Sequence, residues 1–158
     1  MGFALSDMKL TSTAFEPHGR IPARHTGEGE DVSPPLAWEG APAEAASFAL
    51  ICHDPDAPLV KSGSYGFVHW LLYGLSPDTT GLDERTELGV MGHNDFGRNG
   101  YGGPKPPAGH GTHHYYFWLL ALERELNLDP GFELSNFLQK VEPHILGMNR
   151  LVGTYRID

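Results

Sequence analysis

Four side chains with the chemistry to bind an ion or move a proton stand beside segments with β-strand character: Asp54, His69, His113 and Tyr115. Asp54 opens the run Asp-Pro-Asp-Ala-Pro directly after an apolar segment, and the two prolines stiffen the turn. His69 lies inside the apolar run Phe-Val-His-Trp, where a buried polar ring needs a hydrogen-bond partner. Alternation along a strand places His113 and Tyr115 on one face, with Cα atoms about 7 Å apart.

Three kinds of chemistry fit these side chains. Two histidines and one carboxylate can form a facial metal triad with open positions. A carboxylate that orients a histidine can serve a hydrolase, although the chain has no Gly-x-Ser-x-Gly elbow, and Cys52 lies in a strand segment with no sign of activation. In the third, imidazole N–H groups and the Tyr115 O–H donate to phosphate or carboxylate oxygens, while Asp54 fixes a histidine's tautomer and favours its protonation. The sequence does not give the spacing that decides among the three.

Purely structural roles fit the same residues. Asp54 and Asp56 can cap their own loop by accepting backbone N–H bonds, as aspartates in turns commonly do. A strand histidine such as His69 can be a core residue whose hydrogen bonds are satisfied internally. Both roles stay open beside the chemical ones.

Four short segments rich in aromatic and β-branched residues predict the strands that position these groups: 45–53, 65–73, 115–122 and 150–157. Both alternating faces of the second and third segments are apolar. We therefore expect these two to be central strands that are buried on both sides.

Alternation also predicts which side chains share a face. His114 points away from His113 because neighbouring residues of a strand face opposite sides. His69 shares its face with four other residues of its segment: Tyr65, Phe67, Leu71 and Tyr73.

One amphipathic helix is predicted over 134–146, where five apolar residues fall at helical spacing: Leu134, Phe137, Leu138, Val141 and Ile145. Pro143 lacks an N–H and clashes with the preceding turn, so a kink or break is expected near Val141 and Glu142. Several strands and one late helix predict a mainly antiparallel β fold, with the helix packed on the sheets or at their end.

A loop of about twenty residues, 93–113, is loaded with glycine and proline. Long loops without regular structure are often functional in compact domains. Its glycines let the backbone approach a ligand, while Pro104, Pro106 and Pro107 restrict its freedom. The segments 54–66 and 99–111 are therefore predicted to wall one pocket.

Composition excludes several classes of protein. A net charge of −9 argues against a basic nucleic-acid-binding surface. The 158 residues suit one domain, 1–158. Cys52 is the only cysteine, which favours a reducing, cytoplasmic setting. The longest apolar stretches, around 67–73 and 115–122, are far shorter than the roughly 18 residues of a membrane-spanning helix, so no span is expected.

The ordered motifs of the chain resemble those of the phosphatidylethanolamine-binding protein family, most closely its bacterial Raf-kinase-inhibitor-like branch. The resemblance runs from Phe15 to Tyr155 and rests on six segments: Asp-Pro-Asp-Ala-Pro at 54–58, Phe-Val-His-Trp at 67–70, Asn-Asp-Phe-Gly at 94–97, Gly-Tyr-Gly-Gly-Pro at 100–104 with the prolines at 106 and 107, His-His-Tyr at 113–115, and His-Ile-Leu-Gly at 144–147. It implies a sandwich-like core of antiparallel sheets, a C-terminal helix and one small pocket. The implied ligand is a phosphate-like anion or a phospholipid head group.

The resemblance implies a non-enzymatic binding or regulatory protein without a cofactor or metal, able to bind a protein partner and to form a homodimer. The implied ligand-binding residues are Asp54, Asp56, His69, Tyr101, Pro106, Pro107, Gly109, His113 and Tyr115. Two positions depart from the family pattern. His114 replaces the arginine of His-Arg-Tyr, and Pro143 replaces a glycine before His-Ile-Leu-Gly. A hydrolase or a two-histidine, one-carboxylate metalloenzyme that uses the same residues is the alternative.

Overall fold

The computed structural model describes residues 5–57 and 66–158. Within these ranges the strands are β1 (Lys9–Thr11), β2 (Leu36–Glu39), β3 (Ser47–Asp54), β4 (Phe67–Leu75), β5 (Gly81–Leu82), β6 (Val90–Met91), β7 (His113–Leu122) and β8 (Ile145–Tyr155). One α-helix, α1, spans Leu134–Val141, and 3₁₀ turns occupy Ala23–His25 and Glu142–His144.

The larger sheet has the strand order β6-β4-β3-β7-β8, and all its pairs are antiparallel. The predicted central strands, β4 and β7, are both interior, on either side of β3. Most of their side chains are buried because apolar layers cover both faces of this sheet. The prediction of two central strands is therefore confirmed.

Each face of the larger sheet is covered by a different element. The smaller antiparallel sheet, in the order β1-β2-β5, covers one face, where Trp38 of β2 packs 5.6 Å from Phe48 of β3 between ring centroids. On the other face α1 buries Phe137, whose ring stacks 5.0 Å from that of Tyr73 on β4. The expected fold, antiparallel sheets in a sandwich with a C-terminal helix, is confirmed.

The helix ends earlier than its apolar spacing predicts. It ends at Val141, in the region where a break was expected, and Glu142–His144 forms a 3₁₀ turn containing Pro143. Ile145 was expected to be the last apolar residue of the helix but begins β8 and pairs with Leu122. The prediction of a helix to 146 is wrong because an apolar residue at helical spacing can equally belong to a buried strand. No helix in 5–57 or 66–158 is long and apolar enough to cross a membrane.

Candidate ligand-binding site

A cavity of ≈ 190 Å³ opens where β3, β4 and β7 meet the glycine-rich and proline-rich loop. It is lined by Asp54, Ala57, Phe67, His69, Phe96, Lys105, Pro106, Pro107, His113 and Tyr115. The structure thus brings together Asp54, His69, His113 and Tyr115, the four side chains predicted to bind an ion or move a proton. The proline wall also lies where the resemblance implied it. Residues 58–65, which include part of the other predicted wall and the start of the predicted strand at Tyr65, lie outside the described residues.

A β-bulge directs His69 into this cavity. Opposite β3, Cys52 pairs with Trp70 and His53 pairs with Val68, so His69 is the extra residue of β4. Such a bulge locally breaks the alternation of side chains along a strand. His69 therefore faces the ring of Tyr115, 5.2 Å away between centroids.

Because of the bulge, the prediction of which residues share a face with His69 is only partly right. Phe67 does share that face, with its ring 4.9 Å from the imidazole. Leu71 and Tyr73, which alternation placed beside His69, instead pack in the opposite layer of the core, under α1. An inserted residue reverses the alternation for everything beyond it.

The imidazole of His69 is buried and neutral at physiological pH. Its Nδ1–H donates to the carbonyl of Gly102 at 2.7 Å. Desolvation lowers the pKa of His69 to about 4, although the carbonyls of Gly102 and Gly103 favour the protonated ring. The neutral ring therefore carries an acceptor at Nε2, not the N–H donor that the sequence analysis expected.

Asp54 and His113 form a buried pair in the cavity wall. Nδ1 of His113 lies 2.6 Å from Oδ2 of Asp54, and both side chains are only 3% exposed. A carboxylate accepts, so Nδ1 carries the proton and the tautomer of His113 is fixed. The other carboxylate oxygen of Asp54 accepts the backbone N–H of Asp56 at 2.8 Å. Asp54 thus has both of its suggested roles, capping the turn and orienting a histidine.

Asp56 lies outside the cavity. Its Oδ2 accepts from the backbone N–H and from Nδ1 of His114, each at 2.8 Å. His114 occupies the position of the family arginine and, as alternation predicts, points away from His113 and the cavity. The structure therefore gives Asp56 a positioning role, in which it ties the turn after β3 to the start of β7.

Tyr115 contributes a hydroxyl to the cavity. Among the residues that the structure describes, no protein group hydrogen bonds to this O–H. Burial raises the pKa of the Tyr115 phenol, and the nearby charge of Asp54 raises it further. The hydroxyl therefore keeps its proton and can donate to a ligand.

Aromatic rings form much of the remaining wall. Phe96 meets Phe67 edge to face at 4.7 Å and His69 at 5.4 Å between centroids, and it is 42% exposed at the mouth. Neither phenylalanine was predicted from the sequence to be a site residue. The position of Phe67 two residues before His69 was the available signal for it, and the loop motif Asn-Asp-Phe-Gly was the signal for Phe96.

Lys105 is a further lining residue, one that was not predicted from the sequence. It stands between Pro104 and Pro106, so its place inside the proline wall was the signal that could have identified it. Among the described lining residues, Lys105 carries a cationic side chain and Asp54 a carboxylate. A local positive charge at the mouth can attract an anion that the field of a protein of net charge −9 would otherwise repel.

Tyr101 and Gly109 do not line the cavity. The Tyr101 hydroxyl donates to the carbonyl of His25 at 2.6 Å, and its ring packs edge to face on Trp70 in the core. The N–H of Gly109 donates to the carbonyl of Ile157 at 2.8 Å. Tyr101 therefore anchors the loop from inside, and Gly109 anchors it to the C-terminal segment.

The metal-triad geometry is not assembled by these residues. Nδ1 of His113 is bonded to Asp54, the carboxylate that the triad would need as its own ligand. Within 5–57 and 66–158, no group of three or more His, Cys, Asp or Glu side chains is placed to hold a metal ion.

Comparison with known proteins gives concordant matches. A sequence model described as "Phosphatidylethanolamine-binding protein" matches residues 11–156. The UPF0098 protein of Methanothermobacter thermautotrophicus is 46% identical over 156 residues, covering 94% of this chain and 99% of that protein. That organism is an archaeon, so similarity to this chain is not confined to bacteria.

Two solved structures share the fold. A phosphatidylethanolamine-binding protein homologue from Chlamydia trachomatis superposes with a TM-score of 0.88 at 37% identity, covering 96% of this chain and 98% of that one. Escherichia coli YbcL, described as a member of the mammalian PEBP family, gives 0.87 at 28% identity, covering 97% and 100%.

Proposed function

The chain belongs to the phosphatidylethanolamine-binding protein family, and we propose that it is a non-enzymatic binding protein whose cavity holds a small phosphate-bearing anion. The anion is free phosphate or the phosphorylated head group of a lipid. The observation that carries this proposal is the convergence of Tyr115, His69, Lys105 and the Asp54–His113 pair on one cavity of ≈ 190 Å³.

The lining groups suit an anion in spite of the net charge. The Tyr115 hydroxyl is a donor without a protein partner among the described residues, and Lys105 supplies a positive charge. Hydrogen bonds to an ionised ligand are about twice as strong as those between neutral groups. A few placed donors can therefore hold an anion against the field of an acidic protein.

The neutral His69 refines the form of the ligand. Because its Nδ1–H is bonded to Gly102, its Nε2 can only accept. The monoanion of free phosphate or of a phosphomonoester offers both kinds of contact, since its oxygens accept from Tyr115 and Lys105 while its hydroxyl donates to His69. The phosphodiester of an intact lipid has no such hydroxyl, so there the ammonium of an ethanolamine head group would be the donor to His69. The aromatic and proline walls then exclude water around the bound group.

Isothermal titration calorimetry tests this function. Inorganic phosphate and phosphoethanolamine are titrated separately into the wild type and the Tyr115→Phe variant. Loss of one hydrogen bond to a charged group, about 1.5–3 kcal/mol, should weaken binding by roughly 10-fold or more. Tyr116→Phe, the neighbouring hydroxyl on the other face of β7, is the matched control and should bind like the wild type.

The outcomes separate the ligand sources. Tighter binding of phosphoethanolamine favours a head group, and equal binding favours free phosphate. No binding of either anion contradicts the proposed function, and equal loss in both tyrosine variants contradicts the assignment of the cavity. The protein partner, the homodimer and the cytoplasmic location that the sequence indicated stay predictions.

A further inference from the structure

His110 extends the buried Asp54–His113 pair to the protein surface. Its Nδ1 lies 2.9 Å from Nε2 of His113, whose Nδ1 is bonded to Asp54. His113 and Asp54 are buried, whereas His110 is exposed. The three side chains form one line of hydrogen bonds from solvent to the carboxylate in the cavity wall.

The loop holds His110 in this line. The N–H of His110 donates to the carbonyl of Pro107, a residue of the cavity wall, and the N–H of Gly109 donates to Ile157. The flanking residues Gly109 and Gly111 have φ values of 73° and 86°. Glycine adopts this backbone region without strain. The loop conformation that presents His110 is thus specified by its sequence.

The line can hold one added proton without breaking. With Asp54 ionised, Nδ1 of His113 keeps its hydrogen. When both rings are otherwise neutral, Nδ1–H of His110 donates to Nε2 of His113. An added proton can reside on either ring, because the same hydrogen bond then forms in one direction or the other. A second proton would put two N–H donors against each other and break the contact.

We propose that His110 carries a proton between solvent and the Asp54–His113 pair, so that an anion entering the cavity is accompanied by uptake of a proton on this line. This inference rests on the proposed function of the cavity. The proton moves from solvent or buffer to an imidazole nitrogen, and no covalent bond between heavy atoms forms or breaks. The added proton offsets the negative charge of Asp54 when the anion brings a second negative charge into the cavity.

Among the residues that the structure describes, the other charged or titratable groups of the cavity wall near His113 cannot take this role. Asp56 is held by His114, and the Tyr115 phenol already carries its proton. His69 stays neutral at physiological pH because its ring is buried. Lys105 is already a cation. The imidazole pair is therefore the part of the wall that gains a charge.

Calorimetry in buffers of different ionisation enthalpy counts the protons taken up when phosphate binds near pH 7. The test variant is His110→Asn, whose side-chain amide occupies the place of Nδ1 but cannot become charged. Because phosphate and buffers are the same, the proton exchange of phosphate itself cancels between variants. We expect the wild type to take up more protons per phosphate than His110→Asn, by no more than the one proton that the hydrogen-bonded line can hold. The control, His144→Asn, removes a histidine paired with Glu123 and should match the wild type.

Equal proton uptake by the wild type and His110→Asn would overturn the inference. If phosphate does not bind even the wild type, the proposed function fails and the coupling to an anion fails with it, whereas a ligand-free measurement still tests whether His110 and His113 share a proton. In nitrogen-detected NMR spectra of the free protein, the first proton should shift the ring nitrogens of His110 and His113 together. Independent titration of the two rings would contradict the shared proton.

Discussion

The imidazole of His113 donates a 2.6 Å hydrogen bond to the carboxylate of Asp54, although 59 residues separate them in the sequence. Asp54 is the last residue of β3 and His113 the first of β7, and these strands are neighbours in the sheet. The antiparallel pairing therefore brings the end of one strand beside the start of the other. It also explains why the cavity lies at this edge of the sheet.

Replacing Asp54 by alanine should destabilise the protein by about 2–4 kcal/mol. The change leaves the buried Nδ1–H of His113 without its acceptor and also removes the acceptor of the Asp56 N–H. Asp56→Ala, in the same motif, should cost less than about 1 kcal/mol because the Asp56 side chain is 42% exposed. Urea unfolding at pH 7 measures both. Equal losses of unfolding free energy in the two variants would show that burial does not determine how much the Asp54–His113 pair stabilises the protein.

The stability should fall in acid partly because of His69. Its pKa is lowered from 6.5 to about 4 in the folded protein, so the unfolded chain binds the proton more readily. The contribution is complete above about pH 6.5 and is lost as the pH falls towards 4, for a total of about 3 kcal/mol. His69→Asn keeps an amide donor for Gly102 but does not titrate. The difference in unfolding free energy between wild type and variant should therefore narrow from pH 7 to pH 4. A constant difference would contradict a buried neutral imidazole.

Regular alternation explains why part of the site could be predicted. His113 and Tyr115 lie in the regular part of β7, so period two alone places both on the cavity side. The longer strands could also be predicted, because each contains an apolar run long enough to be recognised in the sequence. The strands β1, β5 and β6 have three residues or fewer, and their apolar pattern is too short to read from the sequence.

Local irregularity explains what could not be predicted. The bulge that turns His69 into the cavity depends on the register between β3 and β4, which is a property of two strands and not of either sequence. Lys105 and Phe96 reach the cavity from a loop without a repeating pattern, so no periodicity points to them. The bond between His110 and His113 likewise depends on loop geometry.

Gly153 supports the cavity tyrosine from the next strand, because it pairs with Tyr115 and lets the N-terminal segment pack closely. A Cβ at this position would lie 2.7 Å from atoms of both Ile21 and Phe15. Gly153→Ala should therefore destabilise the protein by about 1–3 kcal/mol through overpacking. Adding Ile21→Ala removes Cγ1 and Cδ1, the two Ile21 atoms that the new Cβ would meet, and should recover part of the loss relative to the sum of the single variants. Thermal or urea unfolding of the four proteins measures this, and strict additivity would contradict the steric explanation.

Lys105 should contribute to anion binding through its position and not through the total charge of the protein. Lys105→Gln removes the cation that lines the cavity, whereas Lys140→Gln removes one from the last turn of α1. Both variants make the net charge more negative by one, so any general electrostatic effect is the same in each. An exposed charge contact contributes up to about 1 kcal/mol, so Lys105→Gln should weaken phosphate binding by roughly 3- to 5-fold while Lys140→Gln binds like the wild type. The difference should shrink in high salt because mobile ions screen an exposed charge. Equal weakening in both variants would show that the overall field, and not the cavity wall, sets the affinity.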